Sequence, residues 1–311
     1  MMFATNKLNK VESTRVVIIG AGSVGATSAF ALLIQGIASE IVLIDRDAKK
    51  AEGEVMDLEH GASFAPHARM WAGDYVDCKD ADVVVITAGA KQKPGQSRLE
   101  LVEINTKITQ EIVKNIRRYT KQAVILMVAN PLDITTYVAT KTAGFAWGQV
   151  FGTGTTLDSS RFRYLLAQKM NVDPESVGAY LLGEHGDSSV PVYSHANVMG
   201  EPVSLSKKEL RECSDVAKRA AYEVIDRKGA TYYAIAMAVA RIVRAILYDE
   251  NHVFVASVLL RGEYGISDVC LSVPVVVGRS GVKKIIPVTL SAEEKKQLQK
   301  SAEVMKQNIK N

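Results

Sequence analysis

The stretch Leu181-Leu182-Gly183-Glu184-His185-Gly186-Asp187-Ser188-Ser189 encloses one histidine between two glycines and two acids, and only five histidines occur in the chain. A histidine so placed is a proton-transfer group if the rest of the chain brings it an orienting acid, a substrate anchor and a cofactor. Without them it is a solvated turn residue. The reference imidazole pKa, roughly 6.5, suits reversible acid–base work near neutral pH.

Two further residues of chemical interest lie on one helix face. Asp158 and Arg161 are three residues apart in Asp158-Ser159-Ser160-Arg161-Phe162. Such a spacing permits an intrahelical ion pair of a few tenths of a kcal/mol. It equally permits both side chains to point into a cleft.

A third cluster concerns nucleotide binding. Arg15-Val16-Val17-Ile18-Ile19 is an unbroken apolar run, as a buried parallel strand requires. Gly20-Ala21-Gly22-Ser23-Val24-Gly25 follows, then a helix-compatible segment to Gln35, a second strand Ile41–Ile44, and Asp45. The acid falls about 20 residues past the glycines, where the dinucleotide fingerprint expects it. Gly20 permits the tight turn, Gly22 lets a pyrophosphate approach the backbone, and Gly25 lets helix and strand pack closely. The helix N-terminus offers free N–H groups and the positive end of its dipole to phosphates. Asp45 is suited to ribose hydroxyls and repels a 2′-phosphate, which favours NAD over NADP.

These groups need a scaffold. Asp82–Thr87 and Val124–Val128 read as further buried strands, and Ala51–Glu59 and Thr106–Tyr119 as helices. Alternation of this kind predicts an α/β fold with a Rossmann-type doubly wound parallel sheet. Its ligands sit at the carboxyl ends of the strands, so Gly20, Gly89 and Asn130 point to one cleft. Lys91-Gln92-Lys93-Pro94-Gly95-Gln96-Ser97-Arg98 is a polar loop with a Pro-Gly turn, suited to be a lid hinged at Gly89 and Gly95. After Gly144 the pattern changes. Helices are predicted over 158–166, 207–228 and 231–248, and strands over 253–260, 267–277 and 285–288, joined by glycine turns as an antiparallel meander. Ser291 and Glu294 form a capping box ahead of a last amphipathic helix. The organisation expected is a nucleotide-binding domain over 1–151 and an α+β substrate-binding, catalytic domain with antiparallel strands over 152–311. The apolar helix near 231–248 is expected to lie between them.

Composition bounds the alternatives. A formal charge of +4 and the lack of a dense basic block give no reason to expect a nucleic-acid partner. No apolar run is long enough for a membrane span, and residues 1–14 do not read as a signal peptide. The three scattered cysteines, Cys78, Cys213 and Cys270, match neither a disulfide framework nor a metal motif. A cytoplasmic protein with reduced thiols and no metal is expected.

The motifs together resemble the L-lactate/malate dehydrogenase superfamily over nearly the whole chain, and within it the bacterial L-lactate dehydrogenases. The matching stretches are Gly20–Gly25, Gln92–Arg98, Ala129-Asn130-Pro131, Leu157–Phe162, Gly183–Ser188 and Lys228–Tyr233. The resemblance implies that His185 donates the proton in ketone reduction and that Asp158 orients its ring. It implies that Arg161 holds the substrate carboxylate and that Arg98 polarises the ketone oxygen. Asn130 would hydrogen-bond substrate beside the nicotinamide, and Thr231 would line the pocket. Val24, Tyr75, Gly89, Ala90 and Ala129 would contact the cofactor, with Lys50 near its adenosine end.

Within this resemblance Gln92 stands where malate dehydrogenases carry arginine. An uncharged side chain leaves the second carboxylate of oxaloacetate unpaired in a closed site, which favours pyruvate/L-lactate. Lys91 and Lys93 flank it and could rescue some oxaloacetate activity. The family also implies a homotetramer and, in many bacterial members, activation by fructose 1,6-bisphosphate through an arginine and a histidine. Arg163 matches the arginine, but Gly178 stands at the histidine position, so one cationic group is missing. Gln96 replaces a lid glutamate common in the family. The alternatives are a malate or broader 2-hydroxyacid dehydrogenase and, from another class, a catalytically silent NAD-binding protein.

Overall fold

Apolar β-branched runs separated by helices set the architecture. The structure, a computed structural model, describes residues 13–90 and 98–310, without the side chains of Arg98 and Lys310. The first half alternates β1 (Arg15–Ile19), α1 (Ser23–Ile34), β2 (Glu40–Ile44), α2 (Ala48–His60), β3 (Arg69–Ala72), β4 (Val83–Ile86), α3 (Arg98–Tyr119), β5 (Val124–Met127), α4 (Leu132–Ala143) and β6 (Val150–Gly152). Strands β1, β2, β4, β5 and β6 are buried along nearly their whole length, the signature of a sheet covered by helices on both faces.

These strands pair in parallel in the order β3-β2-β1-β4-β5-β6. Chain order reverses direction between β1 and β4, which opens a crevice above their carboxyl ends. The expected doubly wound sheet is therefore present.

The second half contains α5 (Thr156–Met170), β7 (Val177–Gly178), β8 (Leu181–Leu182), β9 (Val190–Pro191), β10 (Asn197–Val198), β11 (Glu201–Pro202), α6 (Lys207–Lys228), α7 (Tyr233–Leu247), β12 (His252–Arg261), β13 (Ser267–Gly278), β14 (Gly281–Ile285) and α8 (Ala292–Lys310). The antiparallel strands β12, β13 and β14 are present as an α+β half requires. They also continue the first sheet, because Ser257 of β12 pairs with Gly152 of β6. The result is one nine-stranded sheet, parallel at one side and antiparallel at the other.

Helix α7 presents Ala236, Val239, Ala240 and Val243 as a fully buried face. It packs against α1, β13 and α5, so it joins elements from both halves of the chain.

Several boundaries differ from the sequence expectation, two of them with a clear physical cause. The last strand runs Gly281–Ile285 rather than 285–288, because Arg279-Ser280 alone makes the hairpin turn and Pro287 cannot donate to a ladder. Helix α3 starts at Arg98, eight residues earlier than the periodicity of its buried face suggested. Its early residues Leu99 and Ile104 are exposed and blur that periodicity. No helix among the described residues is long and apolar enough to cross a membrane.

Candidate active site

The glycine turn is strapped from both sides. Gly20 N–H donates to Ile44 O at 2.7 Å, and Ala21 N–H donates to Asp45 Oδ2 at 2.7 Å. Thr87 Oγ1, at the end of β4, donates to Gly20 O at 2.8 Å. Gly20 has φ +108°, and a Cβ there would lie 2.6 Å from Ala88 N. A Cβ on Gly25 would lie 1.8 Å from Gly20 O, so helix and turn can approach this closely only with glycine.

Gly22 differs from both. A Cβ there would meet nothing nearer than Lys50 Nζ at 4.0 Å. Gly22 is also the N-cap of α1 and provides no side-chain cap, so the first N–H groups of the helix have no partner within it. Open space, free N–H groups and one ammonium are what a diphosphate bridge needs. The cradle therefore fits the dinucleotide that the spacing implied, and the Asp45 carboxylate stands directly beside it, on Ala21 N–H.

Val24 lies in the first turn of α1, half-buried. Tyr75 packs against the apolar cluster that Ile112 of α3 belongs to, and burial raises its phenol pKa against a hydrogen bond with Asn115. Gly89 and Ala90 follow β4, and Ala129 and Asn130 follow β5, as expected. Asn105 of α3 ties these two strand ends together. Its Oδ1 accepts from Ala90 N–H at 2.7 Å, and its Nδ2 donates to Ala90 O at 3.2 Å and Asn130 O at 2.9 Å. The peptide bond Asn130–Pro131 is cis.

The histidine stands in the loop between β8 and β9, with its side chain 24% exposed. Its Nδ1 lies 2.5 Å from Asp158 Oδ2, and Arg161 Nη1 donates to the other oxygen, Asp158 Oδ1, at 3.0 Å. The i,i+3 pair of α5 is thus an intrahelical ion pair and, at the same time, the partner of the imidazole. With Nδ1 engaged, the ring's other nitrogen, Nε2, is the one available for proton transfer.

Burial disfavours charge on this ring. The charge of Asp158 and its hydrogen bond outweigh that cost, Asp133 adds to them, and the pKa of His185 rises to about 9. The imidazolium is therefore the resting form at neutral pH, a stronger bias than the ordinary histidine value suggested. Burial also works against the Asp158 carboxylate, but His185 and Arg161 hold its pKa below the usual value.

The loop itself is fixed by residues that motif reading did not find. His185 N–H donates to Asp133 Oδ2 at 2.7 Å. Glu184 N–H donates to Ser301 Oγ of α8 at 2.9 Å, and Ser188 Oγ donates to Glu184 Oε2 at 2.5 Å. Further along, Ser194 N–H and Oγ donate to Glu294. Glu294 is also the expected capping-box partner of Ser291, so the cap of α8 doubles as an anchor for the chain beyond the histidine. Asn105, Asp133 and Ser301 are 2% exposed or less. Buried polar side chains are a signal, but burial is visible only once the fold is known.

Thr231 lies in the Gly229–Tyr232 link between α6 and α7, partly exposed, beyond the left-handed cap at Gly229. Arg163 lies two residues beyond Arg161 on α5, where burial lowers its pKa. At Gly178 a Cβ would meet Asn197 Nδ2 at 2.6 Å. The space beside Gly178 is thus taken by the Asn197 side chain. Gln92, Gln96 and the rest of the expected lid lie outside the described residues, as does the side chain of Arg98. No cluster of metal-ligating side chains occurs among the described residues.

Comparison with known proteins points to one family. Residues 14–152 match the family model for the lactate/malate dehydrogenase NAD-binding domain, and residues 155–311 match that for the lactate/malate dehydrogenase alpha/beta C-terminal domain. The L-lactate dehydrogenase of Acetivibrio thermocellus is 48% identical, over 97% of this chain and 98% of that protein. The L-lactate dehydrogenase of Priestia megaterium is 47% identical, over 95% and 96%. Among solved structures, the minor L-lactate dehydrogenase of Enterococcus mundtii superposes with a TM-score of 0.94 at 44% identity, covering 96% of this chain and 98% of that one.

Proposed function

We propose, from the premise that the chain belongs to the lactate/malate dehydrogenase family, that it is an NAD-dependent L-lactate dehydrogenase interconverting pyruvate and L-lactate. The observation that carries the chemistry is the joined set Arg161–Asp158–His185, an anion anchor and a charged proton donor sharing one carboxylate.

Residues 1–151 hold the cofactor and contribute Arg98 and Asn130 to the substrate, and residues 152–311 supply His185, Asp158, Arg161 and Thr231. Gly20, Gly22, Val24 and Gly25 seat the diphosphate at the head of α1, Lys50 neutralises part of its charge, and Asp45 accepts from ribose hydroxyls. Tyr75, Gly89, Ala90, Ala129 and Asn130 line the path to the reacting end. The bound nicotinamide supplies the hydride, and the protein supplies alignment and charge.

Arg161 grips the carboxylate of the keto acid with the guanidinium edge left free by Asp158, a planar fork that lysine cannot copy. His185 Nε2–H faces the ketone oxygen and gives up its proton as alkoxide charge develops. Asp158 keeps Nδ1 protonated and stabilises the imidazolium before transfer. Arg98 supplies a second positive charge to that oxygen. Asn130 and Thr231 bound the substrate.

Gln92 sets the choice of acid. A neutral amide there favours pyruvate over oxaloacetate, whose second carboxylate would be unpaired and desolvated. The test is kcat/KM with NADH for the two keto acids. Pyruvate is expected to win by at least about 100-fold, on the scale of several kcal/mol for an unpaired buried charge. Gln92→Arg is expected to move the preference towards oxaloacetate. Higher wild-type efficiency with oxaloacetate would make the protein a malate dehydrogenase.

The assembly is a homotetramer in the cytoplasm. Exposed apolar side chains such as Phe30, Met56 and Phe64 support burial against further copies. With Gly178 crowded by Asn197, Arg163 alone gives fructose 1,6-bisphosphate little purchase, and activation by it is weak.

A further inference from the structure

Two carboxylates bracket His185, and only one of them touches its ring. The other, Asp133, is the second residue of α4 and is 2% exposed. Its Oδ2 accepts the backbone N–H of His185 at 2.7 Å, and its Oδ1 accepts the hydroxyl of Ser257 at 2.6 Å. Ser257 is fully buried on β12, at the point where the antiparallel strands join the parallel sheet. A buried carboxylate is costly unless hydrogen bonds and neighbouring positive charge compensate for the lost water. An amide or a hydroxyl could accept the same backbone N–H at lower cost. What a carboxylate adds is charge.

We infer that Asp133, held by Ser257, is a positioning residue that fixes the backbone of His185 and supplies a second negative charge to its imidazolium. Asp158 sets the ring's orientation and tautomer; Asp133 sets where the ring's backbone sits and deepens its hold on the proton. The groups facing this arrangement are Asp158 and Arg161 on α5, Glu184 in the histidine's own loop, Ser257 on β12 and Cys270 on β13. Burial is the largest influence on Asp133 and pushes its pKa up to about 6, against the hydrogen bonds from Ser257 and His185 N–H. The carboxylate is therefore charged at neutral pH and loses that charge in mild acid.

This inference rests on the assignment of His185 as proton donor, and the test separates the two. Asp133→Asn keeps the shape and one acceptor but removes the charge. The alkaline limb of kcat/KM for pyruvate reduction is expected to fall by roughly 0.5–1 pH unit, with kcat lowered about tenfold and NADH affinity unchanged. The rate of His185 modification by diethyl pyrocarbonate, which reads the neutral ring without turnover, should rise roughly three- to tenfold at pH 7.5.

Ser257→Ala keeps the charge and removes one of its donors. Its alkaline limb should stay in place while its acidic limb moves to higher pH. This second variant decides the question if Asp133→Asn does not fold. A folded Asp133→Asn with unmoved limb and modification rate would overturn the inference, as would a Ser257→Ala variant with an unmoved acidic limb. A wild-type protein that does not reduce pyruvate would instead overturn the assigned reaction, while the modification profile would still report on Asp133.

Discussion

The two ends of the cleft are built by different means. The cofactor end is made of backbone: a turn at Gly20–Gly25, strapped to the next strand by Ile44 O and Asp45, all within one strand–helix–strand unit. The end that holds His185, the proposed catalytic end, is made of side chains. Asp133 from α4, Asp158 and Arg161 from α5, Ser257 from β12 and Ser301 from α8 converge on one loop from positions up to 168 residues apart, from 133 to 301. A backbone site tolerates many side-chain changes but no added Cβ at the wrong glycine. A side-chain site fails when one charge is lost, even where its shape is kept.

The largest test of this contrast is Asp158→Asn. The amide fits the space but leaves the imidazole without its counter-charge. Pyruvate reduction is expected to fall about 10²–10⁴-fold, the range associated with losing a positioned proton donor. The same change should lower the alkaline limb by more than one unit, measured by initial rates across pH. NADH binding, followed by fluorescence titration, should be unaffected. If cofactor affinity fell as far as the rate, the two ends would not be separable.

At the backbone end, Gly25→Ala places a methyl group 1.8 Å from Gly20 O. The turn and helix must separate. A loss of roughly 2–3 kcal/mol in stability or of about 30–100-fold in NADH affinity is expected. Calorimetry and titration of the same sample would show which. Gly22→Ala has open space in this structure and should unfold nothing. Its cost should appear in NADH affinity alone.

The smallest expected effect is at Ser301→Ala. This removes a buried donor–acceptor 2.9 Å from Glu184 N and 3.0 Å from Ser188 Oγ. About 1–2 kcal/mol of stability should be lost. Because α8 supports the loop from behind, kcat should fall several-fold with little change in KM. An unchanged kcat would show that the loop is held adequately from the Asp133 side.

The same contrast explains what the sequence could reveal. The glycine turn and Asp45 sit in one short segment whose order mirrors the structure, so strand, turn, helix and acid were legible together. His185, Asp158 and Arg161 were recognisable because their local motifs are distinctive. The i,i+3 spacing of Asp158 and Arg161 allowed either an ion pair or two side chains aimed into a cleft; the structure shows the ion pair, with the second oxygen of Asp158 meeting His185. Asn105, Asp133, Ser257 and Ser301 had no local signature. An asparagine on an amphipathic helix or a serine in a strand acquires its role only when a distant segment is brought to it. Two-residue strands such as β7 to β11 were missed for a related reason. They are too short for a period-two pattern and exist because tertiary contacts pair them. That Asp158 favours the imidazolium followed from the pairing the resemblance implied, but the size of the pKa rise of His185 did not, since it is the sum of two carboxylates, one cation and burial.

The sign of its pH dependence follows directly. A histidine whose folded pKa is raised to about 9 contributes stability that is complete below its unfolded value, near 6.5, and is lost as pH climbs through 9. Under the proposed assignment the same proton is the one given to substrate. The most direct measurement is therefore kcat/KM for NADH-dependent pyruvate reduction from pH 6.5 to 10.5. The structure predicts a rate held through neutral pH that declines about tenfold per unit above a midpoint near 9. A midpoint at the ordinary histidine value, or no NADH oxidation with pyruvate at any pH, would contradict it.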